Sequence, residues 1–299
     1  TLQKLNSMLK YVVLFFAFAI GITSCSVENP VEQEVAKNDV DIQNYLKQRN
    51  LSYTKTVDGM YYSITPSGAT TAPAATDLVT LHYKLTLLDG TFVDSTSKVA
   101  NQSKSIIFGV SQSMFTLPVS IMKAGDKGTF LLPSSLAFGG NTFGNVPAYA
   151  VIKAEIEVIS IKNQADQITA MQNTYGFTAP EKTSSGLVFQ KTLENPTGTA
   201  VVKGQSVKVN YLGRLGYGYI QTDASSKVIY DSKFGAGTLT FSAGAGQLVA
   251  GFEETVLKMK VGEKAKAILP YSIAYGTTGN STIPGYSPLY FEIEVVSAQ

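Results

Sequence analysis

The sequence predicts the α+β fold class: two domains in tandem, each a twisted antiparallel sheet wrapped around one short helix. Three observations carry that prediction. Residues 132–147, LPSSLAFGGNTFGNVP, return at 269–284 as LPYSIAYGTTGNSTIP, an offset of 137 with Leu, Pro, Ser, Ala, Gly and Pro at matching places. Most of the chain alternates with period two, as in LYFEIEVV (289–296), where Leu289, Phe291, Ile293 and Val295 share one face of a half-buried strand. Each copy also holds one stretch of helical period: Phe115, Val119 and Met122 in the first, Phe252, Val256 and Met259 in the second.

In chain order, Lys4 and Lys10 precede a twelve-residue apolar run, 11–22, too short to span a bilayer comfortably and of the length of a signal-peptide core. It leads into Ile22-Thr23-Ser24-Cys25, which resembles the bacterial lipobox. That resemblance implies a signal peptide over 1–24, cleavage before Cys25, and acylation of its thiol and new amino group, a palmitate-type membrane anchor. Residues 25–36 have the polar, acidic, proline-containing composition of a tether. The first domain is expected over 37–162 and the second over 163–299. Amphipathic segments at 40–50 and 164–176 are expected as helices leading into each. Asp89-Gly90 marks a hairpin. TLHYKLTLLDG (80–90) matches KVNYLGRLGYG (208–218) at an offset of 128, so the change to 137 locates a nine-residue insertion in the second copy, between Tyr211 and Asp231. In the second helix Glu253 and Glu254 suit the first turn and Lys258 and Lys260 the end, with Gly262 as the stop and Gly125 its counterpart.

Composition narrows the chemistry. Hydrophobic content of 44% with 15% charged residues suits a β-rich globular chain. Beyond residue 24 the 22 basic and 22 acidic side chains balance, which argues against a nucleic-acid partner. Cys25 is the sole cysteine, so no internal disulfide forms. No cofactor and no metal is expected. AGAGQLVAG (243–251) lacks the preceding parallel strand and long helix of a phosphate loop, and no cluster has zinc spacing. His82 is the only histidine and, mid-strand, reads as packed or solvated rather than catalytic.

Over nearly all of 205–296, the series VNYLG, YDS, FSAGAGQLVAGFEE, ILPYSIAYG, IPGY and LYFEIEV resembles the FKBP type of peptidyl-prolyl isomerase. The resemblance implies two FKBP-like domains, the fold read above, and an aromatic pocket for a prolyl ring. Carried over, Phe252 is the floor, where the family most often has Trp. Tyr211, Tyr230, Leu239, Leu248, Val249, Ile283 and Phe291 are the walls, and Asp231 lies beside Tyr230. The Tyr275 hydroxyl and the Val249 N–H face substrate carbonyls. Asn280 stands where the family often has His, in a loop one residue short. The first copy departs from the pattern: Tyr83 and Asp94 remain, but Val93, Phe138 and Ala154 replace an aromatic, the lip tyrosine and Phe291.

The expectation is a lipid-anchored enzyme of the bacterial cell envelope, with outer-membrane sorting, that isomerises X-Pro bonds of exported client proteins through its second domain. The first domain is expected to be degenerate. A non-catalytic peptide-binding or chaperone lipoprotein is the competing reading, and a purely structural lipoprotein a third.

Overall fold

The computed structural model describes residues 30–111, 113–222 and 228–299. The apolar run and Cys25 lie outside them. Helix α1 (Pro30–Gln48) opens on a proline, whose missing N–H is harmless in a first turn, and runs through the helix formers of EQEVAK with a Glu34–Lys37 pair at 3.7 Å. The segment read as a tether is therefore helical from Pro30 onward. Farther along, Ile42 and Leu46 are buried against Tyr61, Leu131 and Val151 of the first sheet.

That sheet comprises β1 (Thr54–Lys55), β2 (Tyr61–Thr65), β3 (Leu78–Leu87), β4 (Phe92–Ser95), β5 (Lys104–Ile107), β6 (Lys127–Leu132) and β7 (Ile152–Lys162), in spatial order β1-β2-β6-β7-β3-β4 with β5 also on β3. Every pairing is antiparallel. The Asp89-Gly90 turn joins β3 to β4, with Gly90 at φ +96°, a region that favours glycine. One short helix, α2 (Thr116–Ser120), covers the sheet, and the expected stripe Phe115, Val119 and Met122 is buried in the core.

Asn163 caps α3 (Gln164–Thr174), its side chain accepting the Asp166 N–H at 2.9 Å. The second sheet follows with β8 (Glu181–Lys182), β9 (Val188–Leu193), β10 (Ser206–Thr222), β11 (Val228–Ser242), β12 (Lys264–Leu269) and β13 (Leu289–Ala298), in the order β11-β10-β13-β12-β9-β8. Its helix, α4 (Ala250–Leu257), buries Phe252 and Val256, and Met259 lies just beyond. The nine extra residues lengthen the β10–β11 hairpin, which reaches the first domain: the Tyr230 hydroxyl lies 3.0 Å from that of Ser103.

Two further devices occur in both domains. The turn before β6 is held by Asp126, which accepts the N–H groups of Ser67 (2.7 Å) and Lys123 (2.8 Å). Glu263 does the same before β12, taking the Lys260 N–H and the Lys191 ammonium at 2.8 and 2.9 Å. The entry helix is also tied to the loop after the matching strand. The Asn38 side chain accepts the Ser134 N–H at 2.7 Å, and Gln164 accepts the Tyr271 N–H at 3.1 Å.

Candidate functional site

The site lies in the second domain, among α4, the β10–β11 hairpin and the loop after β12. Phe252, 3% exposed, is its floor. The start of α4 sets that ring in place. Val249 leaves the loop with φ −60° and ψ 140°, and the Glu253 carboxylate reaches back to accept the N–H groups of Leu248 at 2.8 Å and Gly246 at 3.1 Å. Burial works against the charge on Glu253, but these backbone donors outweigh it and hold the carboxyl below its ordinary range. Glu253 is thus a clamp on the loop that carries Leu248 and Val249, more than the helix-start charge expected. Gly251 permits close approach to β12, since a Cβ there would meet the Leu269 side chain at 2.5 Å.

The walls are aromatic and meet edge to face, the arrangement that ring quadrupoles favour. Phe291 contacts Phe252 with centroids 5.1 Å apart and planes at 83°. Phe234 contacts Phe291 at 5.6 Å and 85°, and Tyr211 contacts Phe252 at 6.1 Å and 86°. Leu239, Leu248, Val249 and Ile283 complete the lining, with Tyr275, Asn280 and Thr282 toward solvent, around a cavity of about 230 Å³. Tyr275 is 38% exposed. The Asn280 side chain accepts the N–H groups of Thr282 (2.8 Å) and Ile283 (2.7 Å), a turn that drives Ile283 into the core.

Of the residues expected from the sequence, the structure gathers Tyr211, Leu239, Leu248, Val249, Phe252, Tyr275, Ile283 and Phe291 around this cavity. It does not bring Tyr230 or Asp231 there, and that expectation is corrected. The reason is a bulge. Gly213 pairs with Gly235 and Arg214 with Lys233, which leaves Phe234 as an extra residue on β11 and turns its ring across Gly213, where a Cβ would stand 2.5 Å from it. Phe234 therefore supplies the wall assigned to Tyr230. Tyr230 packs over Gly218 instead. Asp231 accepts from Arg214 at 2.7 Å. Burial opposes its charge, yet Arg214 and the N–H groups of Lys233 and Ser232 keep its carboxyl below the usual range. The signal that could have revealed Phe234 is the glycine beside it on its own strand, Gly235, and that glycine's partner across the hairpin, Gly213, over which the ring lies.

The first domain builds the equivalent position differently. Leu239 pairs with Val209 on β10, and at the matching step of β3, Leu81, the partner is Lys104. The Lys104 ammonium lies over the Phe115 ring, 5.6 Å from its centroid, and Tyr83 stands 4.7 Å from the same ring. The Tyr83 hydroxyl donates to Asp94 at 2.6 Å, and Phe138 stacks on Phe143 at 5.1 Å. His82 sits mid-strand beside Thr96, its nitrogen 3.0 Å from the hydroxyl. Among the described residues no group of His, Cys, Asp and Glu could hold a metal ion, and no helix is long and apolar enough to cross a membrane.

Two antiparallel sheets, each wrapped on one short helix, and an aromatic, charge-free cavity against the second helix define a class of β-rich domains with a small apolar site. Comparison with known proteins narrows the class. The family model for FKBP-type peptidyl-prolyl cis-trans isomerase matches residues 69–159 and 198–296. The chain therefore belongs to that family and carries its domain twice. Among curated relatives, peptidyl-prolyl cis-trans isomerase FKBP9 of Bos taurus is 30% identical over 224 residues, 74% of this chain and 34% of the relative. FkpA of Aeromonas hydrophila, an FKBP-type isomerase, is 31% identical over 138 residues, 45% of this chain and 50% of the relative. The chain thus spans between a third and a half of these relatives' length. Among solved structures, the three FKBP domains of wheat FKBP73 align with 83% of this chain and 99% of that one, at 21% identity and a TM-score of 0.34.

Proposed function

We propose that this chain is a peptidyl-prolyl cis-trans isomerase whose second domain turns over X-Pro bonds of exported proteins, held at a bacterial envelope membrane by lipid on Cys25. One observation carries the catalytic reading: a cavity of about 230 Å³ walled by five aromatic rings, with no acid, histidine, lysine or arginine among its lining residues.

Rotation about a peptide bond meets a barrier of roughly 18–20 kcal/mol, and free X-Pro bonds exchange in tens to hundreds of seconds. The barrier is lost amide resonance. A twisted amide carries less charge on its carbonyl oxygen than a planar one and is the less polar species. A dry aromatic hollow therefore solvates the twisted state better, relative to water, than the planar one. Phe252, Phe291 and Phe234 hold the prolyl ring by contact. The Tyr275 hydroxyl and the Val249 N–H, one at the rim and the other at the helix start, orient the flanking carbonyls. No proton transfer and no covalent intermediate is required. In the first domain the Lys104 ammonium over Phe115 takes the place of such a hollow, which supports a non-catalytic, spacing or peptide-holding role there.

The test is cis/trans exchange in a short Leu-Pro peptide, followed by NMR with the full chain. Exchange well above the buffer rate, lost in Phe252→Ala, is the expected result; a rate equal to buffer removes the enzymatic reading. The anchoring part is tested separately. Cys25→Ser should move the protein from the membrane fraction to the soluble one, and continued membrane retention would show that acylation is not what holds it.

A further inference from the structure

A second cavity, of about 270 Å³, lies between the two domains and is lined by residues of both, Ser103–Ser105 from the first and Tyr217–Tyr219 from the second among them. Three features of its walls bear on what it can hold. The first is a pair of strand edges. Among the described residues β5 is hydrogen-bonded on one side only, to β3, while β10 leaves β13 after Leu215 and is paired beyond that point only with β11. No ladder joins β5 to β10 among the described residues, yet the Tyr230 and Ser103 hydroxyls, 3.0 Å apart, bind the two domains here. Unpaired strand edges present main-chain donors and acceptors that an extended chain can satisfy.

The second feature is chemistry. The lining is rich in hydroxyls and phenol rings, and Lys104, whose ammonium lies over Phe115, is its one charged residue. A cationic guest would lose its hydration without finding a counter-charge, and the Lys104 ammonium would repel it. A guest with hydroxyl or amide side chains would keep its hydrogen bonds. The third feature is continuity with the aromatic pocket. Phe234 lines that pocket, and Asp231, three residues back along the same strand, pairs with Tyr219 at the interdomain cavity. At the rise of a β-strand the separation is roughly 10 Å, the span of a few extended residues.

From these features we infer that the interdomain cavity is an extension of the substrate site and takes the extended segment that flanks the target proline, free of Lys and Arg and rich in Ser, Thr, Asn or Gln. The inserted hairpin of the second domain creates this subsite, and the first domain supplies its other wall. This deepens the isomerase reading and rests on it, because the guest is the flank of an isomerase substrate.

Two measurements test it, both on the full chain. The first compares a Leu-Pro peptide of about four residues with the same peptide extended by about six residues of Ser, Thr and Gln. The extended peptide should show a KM lower by about tenfold, the gain of one or two well-made hydrogen bonds, with kcat little changed. Gln102→Trp, which fills the cavity from its wall, should abolish that advantage and leave the short peptide's kinetics as they were. Equal KM for both peptides in the unmodified protein overturns the subsite and leaves the isomerase reading standing. The second measurement needs no turnover. The proline-free flank peptide alone, titrated to millimolar concentration, should shift the amide signals of 103–105 and 217–219. If those signals stay still the subsite is wrong; if they move while neither proline peptide is turned over, the cavity binds as inferred and the isomerase reading alone fails.

Discussion

The two domains share a scaffold and differ in where they place one phenylalanine. In the first, Phe130 on β6 faces Ala154 on β7. In the second, Ala267 on β12 faces Phe291 on β13. Each pair holds one ring and one methyl, so the volume across the two strands is nearly the same, but the ring has changed strands. On β13 it stands against Phe252 and walls a cavity. On β6 it packs beside Tyr62, with centroids 6.3 Å apart, and leaves the β7 side without a wall. Lys104 then takes the position that Leu239 holds in the second domain. Stability asks that the space be filled, and either arrangement fills it; a binding site asks that it be filled from one particular side.

Exchanging these positions breaks or sharpens the comparison. The largest effect is expected from Phe291→Ala, which sets two alanines face to face and opens a cavity in the second domain. It should lower stability by about 3–5 kcal/mol and remove turnover. Adding Ala267→Phe copies the first domain's arrangement and should restore much of the stability without restoring activity. Urea denaturation and peptide exchange measure the two separately, and recovery of both together would show that the side of the ring is immaterial. Next is Leu239→Lys, which imports the ammonium that lies over Phe115. Turnover should fall by about tenfold or more, since a prolyl ring must displace a cation from the floor aromatic; an unchanged rate would show that Lys104 does not close the first site.

The third change concerns acid stability. Burial raises the carboxyls of Glu253 and Glu263, but their donors outweigh it, so both titrate below the ordinary 4.5. A group whose folded value is depressed stabilises the fold fully above its unfolded value, and that contribution disappears as the pH falls through the folded one. The second domain should therefore lose stability below about pH 4.5, and Glu253→Gln should cost about 1–3 kcal/mol at neutral pH while flattening that acid slope. Unfolding midpoints at several pH values decide it. The smallest effect is expected from Asp231→Asn. The residue lies outside the pocket and its half-buried pair with Arg214 touches none of the lining, so turnover should change by less than about twofold. A large loss would return Asp231 to the site.

Much of this was legible in the sequence, for identifiable reasons. The repeat and the period-two alternation follow directly from a sheet with one buried face, so both sheets and both helix stripes could be read. The floor and lip were legible because Phe252 and Tyr275 sit on segments of fixed local geometry, a helix start and a glycine-punctuated turn. The hairpin wall was not. The family motif was carried over by position onto Tyr230 and Asp231, and the bulge at Phe234, which no motif marks, puts that ring in the wall and leaves those two outside the cavity. The helical start at Pro30 was obscured because proline, acids and polar residues serve a tether and a helix N-terminus alike. Lys104 was hidden too, since its partner in the other copy is found by cross-strand pairing and the two copies differ in spacing between β4 and α2.

The bond from Gln164 to the Tyr271 N–H gives the connecting helix a part in the second domain's lip. A proteolytic cut within Tyr175–Pro180 would leave every strand of the second sheet intact and leave the rim's anchor joined to that sheet by packing and hydrogen bonds alone. The smallest fragment able to preserve that rim begins at the capping residue Asn163, immediately after the first domain's last strand, so the boundary between the two repeats is a shared joint, with no free linker in between.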